Sequence, residues 1–132
     1  MSTRRSNARP ASRRAALTFR DVLALARDLP GAEESTSYGT RSLKVKGKLF
    51  ARRQEDGDTL IVRTTAEDRA HLLATWPREF YLTDHYRDYP WVLARLSVIS
   101  RARLAEVLTD AWERTAPASL RRARADRSSN AR

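Results

Sequence analysis

The spacing of apolar and polar positions changes period several times along the chain, and each change marks an element. Phe19, Val22, Leu23, Ala26 and Leu29 fall on one helical stripe, with Arg20, Arg27 and Asp28 elsewhere, which predicts a helix over about 18–29. Thr18 is placed to cap it, Asp21 sits in its first turn, and Pro30-Gly31 stops it. The period then falls from about 3.6 to about 2 residues. Leu43 and Val45 alternate with Ser42, Lys44 and Lys46, Gly47 marks a turn, and Leu49-Phe50-Ala51 opens a second run, so a β-hairpin is predicted over 41–53. Asp56-Gly57 is a further hairpin turn, leading into Thr59–Arg63, a strand rich in β-branched residues.

Thr65 and Asp68 start a second helix over about 66–75, which Pro77 ends, with Leu72, Leu73 and Trp76 available for burial. Strands are predicted at Glu79–His85 and Trp91–Ile99, around the turn Arg87-Asp88-Tyr89-Pro90. Ser100 caps the last helix, about 101–115, whose Leu104, Val107, Leu108, Ala111 and Trp112 make the cleanest amphipathic stripe in the chain. Pro117 closes it, and 118–132 is expected to be a disordered basic tail. Glu33-Glu34 reads as a solvated acidic loop. The order α-β-β-β-α-β-β-α predicts an α+β domain over 18–117. Its two layers are a five-stranded antiparallel sheet and helices packed over one face of it.

Charge changes this picture only after it is divided by segment. The net charge is +10, but residues 1–17 carry Arg4, Arg5, Arg9, Arg13 and Arg14 without an acid, and six arginines face one aspartate over 114–132. Between them, 18–113 is electrically balanced, so the basic character belongs to the ends and says little about the folded body. The absence of cysteine excludes disulfides, thiolate nucleophiles and cysteine-based zinc sites. No apolar stretch is long enough for a membrane span and the start has no hydrophobic centre, so a cytoplasmic location is expected. The arginine- and alanine-rich usage suggests a bacterial source, which makes 1–17 a disordered bacterial tail rather than a transit peptide.

Three pieces of sequence, in order, resemble the MmcQ/YjbR family. They are Leu29-Pro30-Gly31-Ala32-Glu33-Glu34 with Tyr38-Gly39 and Leu43–Ala51; His85-Tyr86-Arg87-Asp88-Tyr89-Pro90-Trp91-Val92; and Leu108-Thr109-Asp110-Ala111-Trp112 with Thr115-Ala116-Pro117. The resemblance runs over about 18–120 and leaves both basic tails outside the family's pattern. It implies a small α+β fold comparable with frataxin-like and secretion-chaperone-like folds, and a DNA-binding role.

Two constellations carry candidate chemistry. Arg41, Lys44, Lys46, Lys48, Arg52 and Arg53 crowd one hairpin without an acid, and a protruding basic hairpin is suited to a phosphate backbone or a groove. The competing reading makes them edge-strand charges that block sheet-to-sheet association. His85, Tyr86, Tyr89 and Trp91 cluster at one turn near Tyr81, either to stack on a base or line a ligand pocket, or to cover the end of the core. The two histidines, His71 and His85, stand in no metal-binding or catalytic spacing, and no glycine loop cradles phosphate. The expectation is a non-enzymatic, monomeric protein without cofactor or metal. It contacts duplex DNA through the hairpin and the arginine tails; a protein adaptor using the sheet face, or a small-ligand domain with its pocket near His85 and Trp91, is the alternative.

Overall fold

A computed structural model describes residues 16–130 of the chain. The elements run α1 (Phe19–Ala26), β1 (Ala32–Ser37), β2 (Thr40–Val45), β3 (Lys48–Arg53), β4 (Thr59–Arg63), α2 (Ala66–Thr75), β5 (Phe80–Tyr81), a 3-10 turn (Asp84–Tyr86), β6 (Trp91–Arg95), α3 (Arg101–Thr115) and α4 (Ala118–Asn130). The strands form one antiparallel sheet in the order β1-β2-β3-β4-β6-β5. The mixed α+β class and the antiparallel pairing agree with the sequence reading, but the sheet has six strands, not five.

The additional strand is Ala32–Ser37, expected as an acidic loop. Its only apolar residue is Ala32, so no alternation betrays it. It is held by pairing: Ser37 lies opposite Thr40 across a two-residue turn, Tyr38-Gly39, with φ of 54° and 79°. Lys46-Gly47 makes the same turn between β2 and β3, with φ of 51° and 77°. Positive φ at both central residues is the hairpin geometry that matches strand twist, and the second glycine of each pair adopts it without strain.

This strand changes the setting of the basic hairpin. β2 and β3 are the second and third strands, each paired on both sides, so 41–53 is neither an edge nor a protruding wing. A bulge between Leu43 and Lys44 leaves Phe50 as the extra residue of β3, and both Phe50 and Ala51 are buried in the core.

The helices cover one face. Phe19 and Val22 of α1 and Leu104, Leu108, Ala111 and Trp112 of α3 pack onto Leu43, Val45, Leu60, Val62, Val92 and Ala94. Leu72, Leu73 and Trp76 close the α2 side. Trp112 is fully buried and its indole N–H donates to the Pro30 carbonyl at 2.9 Å, tying α3 to the end of α1. Thr65 accepts from Asp68 and Ser100 from Arg103, as expected; at α1 Thr18 holds the N-cap position, but Asp21 is the acceptor, taking the Thr18 backbone N–H and hydroxyl.

Several boundaries move, and the helix expected over 18–29 ends at Ala26. The strand expected at Glu79–His85 shrinks to Phe80–Tyr81, because the chain turns into the 3-10 segment. The strand expected to reach Ile99 ends at Arg95. The C-terminal segment expected to be disordered is helical over Ala118–Asn130, and Leu120 packs against the core. At the other end, the Leu17 N–H donates to the Leu96 carbonyl and its side chain packs on the core, so the domain begins inside the expected tail. The remainder of that tail, 1–15, lies outside the described residues.

Candidate functional site

Because side chains alternate along a strand, the six hairpin cations divide between the two faces of the sheet. Arg41 lies on the helix side: its Nε donates to Glu34 at 2.7 Å and its guanidinium sits 5.0 Å from the centre of the Phe19 ring. Arg53 lies opposite Leu60 and Lys48 opposite Val45, also on the helix side, and the Arg53 Nε is buried without a hydrogen-bond partner. Lys46 is exposed in its turn. Lys44 and Arg52 alone face outward, and Lys44 stands opposite Glu33 of β1. The dense run of positive charge in the sequence is therefore not a single patch.

The outer face gathers other residues instead. Opposed pairs Thr59–Arg95, Ile61–Leu93 and Arg63–Trp91 run along β4 and β6, and Arg52 sits beside Ile61. Each of three guanidiniums rests on a ring: Arg95 on Tyr81 at 4.2 Å, Arg63 on Trp91 at 4.6 Å, and Arg52 on Tyr38 at 5.2 Å from the ring centre. Such pairs are held by the negative face of the aromatic ring. Arg63 also donates twice to the Leu49 carbonyl, which fixes its plane.

Within this face lies a cleft of about 350 Å³. Leu49, Arg52 and Ile61 form its floor, Tyr86 and Trp91 its side, and Tyr38, His85 and Tyr89 its mouth. The floor is buried, with Arg52 at 8% and Ile61 at 2% exposure, whereas Tyr38 and Tyr89 are 82% and 57% exposed. The cleft brings together the sequence cluster of His85, Tyr86, Tyr89 and Trp91, with the His85 ring edge-on to Tyr86 at 4.6 Å. Arg52 donates to the Thr40 hydroxyl and the Tyr86 hydroxyl, both at 3.0 Å, and makes no ion pair among the described residues. No carboxylate lines the cleft. The site is a cationic, hydrogen-bond-donating floor under an aromatic mouth.

The wall made by 84–90 is pinned from behind by Arg69 of α2. Its guanidinium donates to the carbonyls of Tyr86, Arg87, Tyr89 and Trp91, at 2.7 to 3.3 Å. Tyr38 is set at the mouth by the β1–β2 turn, at a φ that a bulky residue rarely adopts. The contact that meets this ring at its exposed, left-handed position is the Arg52 guanidinium, 5.2 Å from its centre. Sequence reasoning missed Tyr38, Arg63, Arg69 and Arg95 as site residues. The Tyr38-Gly39 pair, read as the same x-Gly hairpin signal as Lys46-Gly47, would have located the first; the others emerge only from strand register.

A second, smaller cavity of about 130 Å³ lies between α2, α3 and the sheet, bordered by Asp68, His71 and Asp110. Burial, followed by the neighbouring Glu113 charge, pushes the Asp110 carboxyl above its ordinary value despite the opposing Arg114. His71 rests edge-on against Trp76 at 5.6 Å.

Comparison with known proteins places these residues in a wider setting. The YjbR family model matches residues 27–114, which includes the cleft, its pinned wall and most of α3. Uncharacterised proteins of Mycobacterium tuberculosis and Mycobacterium bovis are 38% identical over 65 residues, 48% of this chain and 50% of theirs. The chain thus spans about half the length of the curated relatives it matches. The crystal structure of Deinococcus radiodurans protein DR2400, a DUF419-domain protein, superposes with a TM-score of 0.63 at 21% identity, covering 74% of this chain and 77% of that one. At that identity the likeness concerns the fold.

Proposed function

The chain belongs to the YjbR family, and on that footing we propose that it is a non-enzymatic nucleic-acid-binding protein whose contact surface is the outer face of the sheet. The observation that carries this reading is the interleaving of guanidiniums with aromatic rings, Arg52 with Tyr38, Arg63 with Trp91 and Arg95 with Tyr81, on the face of the sheet away from the helices. Guanidiniums attract phosphates, and rings beside them offer a face to an unpaired base. Lys44 adds a cation on the same side.

Unpaired strands suit this surface better than the duplex favoured from the sequence. The duplex reading rested on the basic hairpin together with the arginine tails, and the hairpin cations stand on two faces of the sheet. A ring half-buried in a sheet can stack on an accessible base but cannot reach one inside a stacked duplex. The arginines of α4, including Arg121, Arg122 and Arg124, and those in the sequence of 1–17 would add sequence-independent attraction for phosphates.

Titration of the full chain with a single-stranded oligonucleotide and its duplex, at two salt concentrations, tests the reading. Tighter binding of the single strand is expected, with affinity falling as salt rises by a logarithmic slope of about 0.7 per contacted phosphate. Trp91→Ala should weaken it roughly 5- to 150-fold, the loss of one stacked base at about 1–3 kcal/mol. Binding that ignores this substitution would remove the outer face from the proposal.

A further inference from the structure

We propose that the cleft beneath Tyr38 is a seat for a terminal phosphate monoester and the nucleotide bearing it. This rests on the nucleic-acid reading for its biological source, a strand end, but the chemistry of the seat stands independently of it.

The first observation is the Arg52 guanidinium. It is more than nine-tenths buried, lines the cleft floor, and hydrogen-bonds only to two neutral hydroxyls, with the Tyr38 ring 5.2 Å away and no anion beside it among the described residues. A guanidinium has five N–H donors, and those two bonds leave three. A buried cation without a counter-charge is costly unless something anionic balances it, and the lining supplies no carboxylate. The wall segment 84–90 contains two acids, Asp84, which pairs with Arg87, and Asp88, and neither lines the cleft.

The second observation concerns the hydroxyls. Thr40 accepts from Arg52 and passes its own proton to the Ser37 carbonyl, so its donor is spent. The Tyr86 oxygen accepts from Arg52, which leaves its O–H proton available. The floor and side therefore hold unspent donors on two lining side chains, the Arg52 guanidinium and the Tyr86 hydroxyl, and a planar guanidinium edge can present two N–H groups to one anion.

Size and shape select a terminal group. Ligand pockets run from about 300 to 1,000 Å³, and a cleft of about 350 Å³ admits one ring and its phosphate rather than a run of nucleotides. The cation lies at the buried floor and the exposed rings at the mouth. A phosphodiester in mid-strand would need two exits from the floor, whereas a phosphate monoester at a strand end, or on a free mononucleotide, needs one. At neutral pH the monoester also carries up to about two charges, which answers a buried guanidinium better than a diester's one.

Calorimetric titration of the full chain decides the matter. The probes are a 5′-phosphorylated hexathymidylate, its 3′-phosphorylated and its unphosphorylated counterparts, thymidine 5′-monophosphate, and inorganic phosphate. At least one phosphorylated strand should bind about tenfold or more tightly than the unphosphorylated one, the worth of one added charge-assisted contact. Arg52→Gln should erase that preference. If Arg52→Gln fails to fold, Tyr86→Phe, which removes only a hydroxyl, should still shrink it, whereas Arg114→Gln on the helix side should leave it intact. Mononucleotide binding without strand binding would keep the phosphate seat and remove the nucleic-acid reading. Equal binding of all strands, with no mononucleotide binding, would keep the nucleic-acid reading and overturn the seat. Binding of none of the probes would overturn both.

Discussion

On the helix-covered face of the sheet, Leu60, Val62, Val92 and Ala94 are sealed beneath Leu104, Leu108 and Trp112. One residue along the same strands, the outer face presents Thr59, Arg63, Trp91 and Arg95, with Arg52 beside them. Two strands thus serve opposite ends. The covered face excludes water and makes the stability, and its residues are interchangeable with others of similar volume. The outer face keeps cations on rings and a buried guanidinium without a counter-charge, an arrangement that a stability criterion alone would not select. The proposed binding surface is thus the face whose packing is least economical.

The largest effect should come from the covered face. Trp112→Ala empties a fully buried aromatic site and removes the bond to Pro30, and should cost about 3–5 kcal/mol in denaturant unfolding. Nucleic-acid affinity per folded molecule should be unaffected. A Trp112→Ala protein that unfolds at the parent midpoint would mean that α3 is not part of the core.

Arg69→Met should cost about 1.5–3 kcal/mol, because its charge-assisted bonds to four carbonyls are lost together while the stem is kept. Unlike the Trp112 change, it should also loosen the 84–90 wall and weaken ligand binding in the cleft, measured by calorimetry on folded protein. Equal binding would show that the wall holds without its pin.

The Tyr38 turn sharpens the comparison by reversing the sign. Tyr38→Asn replaces a bulky residue with one that tolerates left-handed φ, and should stabilise the fold by about 0.5–1 kcal/mol. It should weaken binding at the same time, because the mouth loses its ring. A substitution that gains stability and loses binding separates the two faces more cleanly than any loss of both. Destabilisation on Tyr38→Asn would place Tyr38 among the residues that hold the fold.

The sequence reveals the covered face and hides the outer one for a physical reason. Burial imposes a period, so α1, α3 and β4 were legible within a residue or a few, whereas α2, which buries no residue fully, was marked by its Thr65 cap and Pro77 stop. Ala32–Ser37 escapes because its side chains bury almost nothing and only backbone pairing makes it a strand. Ala118–Asn130 escapes because a single contact residue, Leu120, gives no stripe. The cations of 41–53 were legible as a list but not as a surface, since β1 had to be known before β2 could be seen as an interior strand. His85 and Trp91 were found by their clustering in sequence. Arg63 and Arg95 were not, because they meet Trp91 and Tyr81 only through the pairing of β4, β6 and β5.

The smallest effects are those of pH. Asp110 has a raised pKa, so the folded state holds its proton more tightly than the unfolded state; its contribution favours folding at low pH and is lost as pH rises through the folded value. Asp56 has the opposite sign. Burial alone would raise it, but hydrogen bonds from the Thr59 and Asp58 backbones and the Thr59 hydroxyl outweigh burial and hold it below its ordinary value. Its contribution is present at neutral pH and lost as pH falls through the folded value. Asp110→Asn should slightly raise stability at neutral pH, and Asp56→Asn should lower it, each flattening its own part of an acid titration of unfolding. A matching shift for both would contradict the opposite environments assigned to them.

The central claim, that ligand meets the outer face and not the helix-covered one, is tested most directly by nuclear magnetic resonance of the full chain during titration with a single-stranded oligonucleotide. The expected result is a set of saturating shifts at the amides of Leu49, Arg52, Ile61 and Trp91 and in the Tyr38-Gly39 turn, with Lys48, Arg53 and Leu108 unmoved. Shifts confined to the arginines of α4 and the N-terminal tail, with the outer face silent, would contradict it and reduce the binding to charge at the ends of the chain.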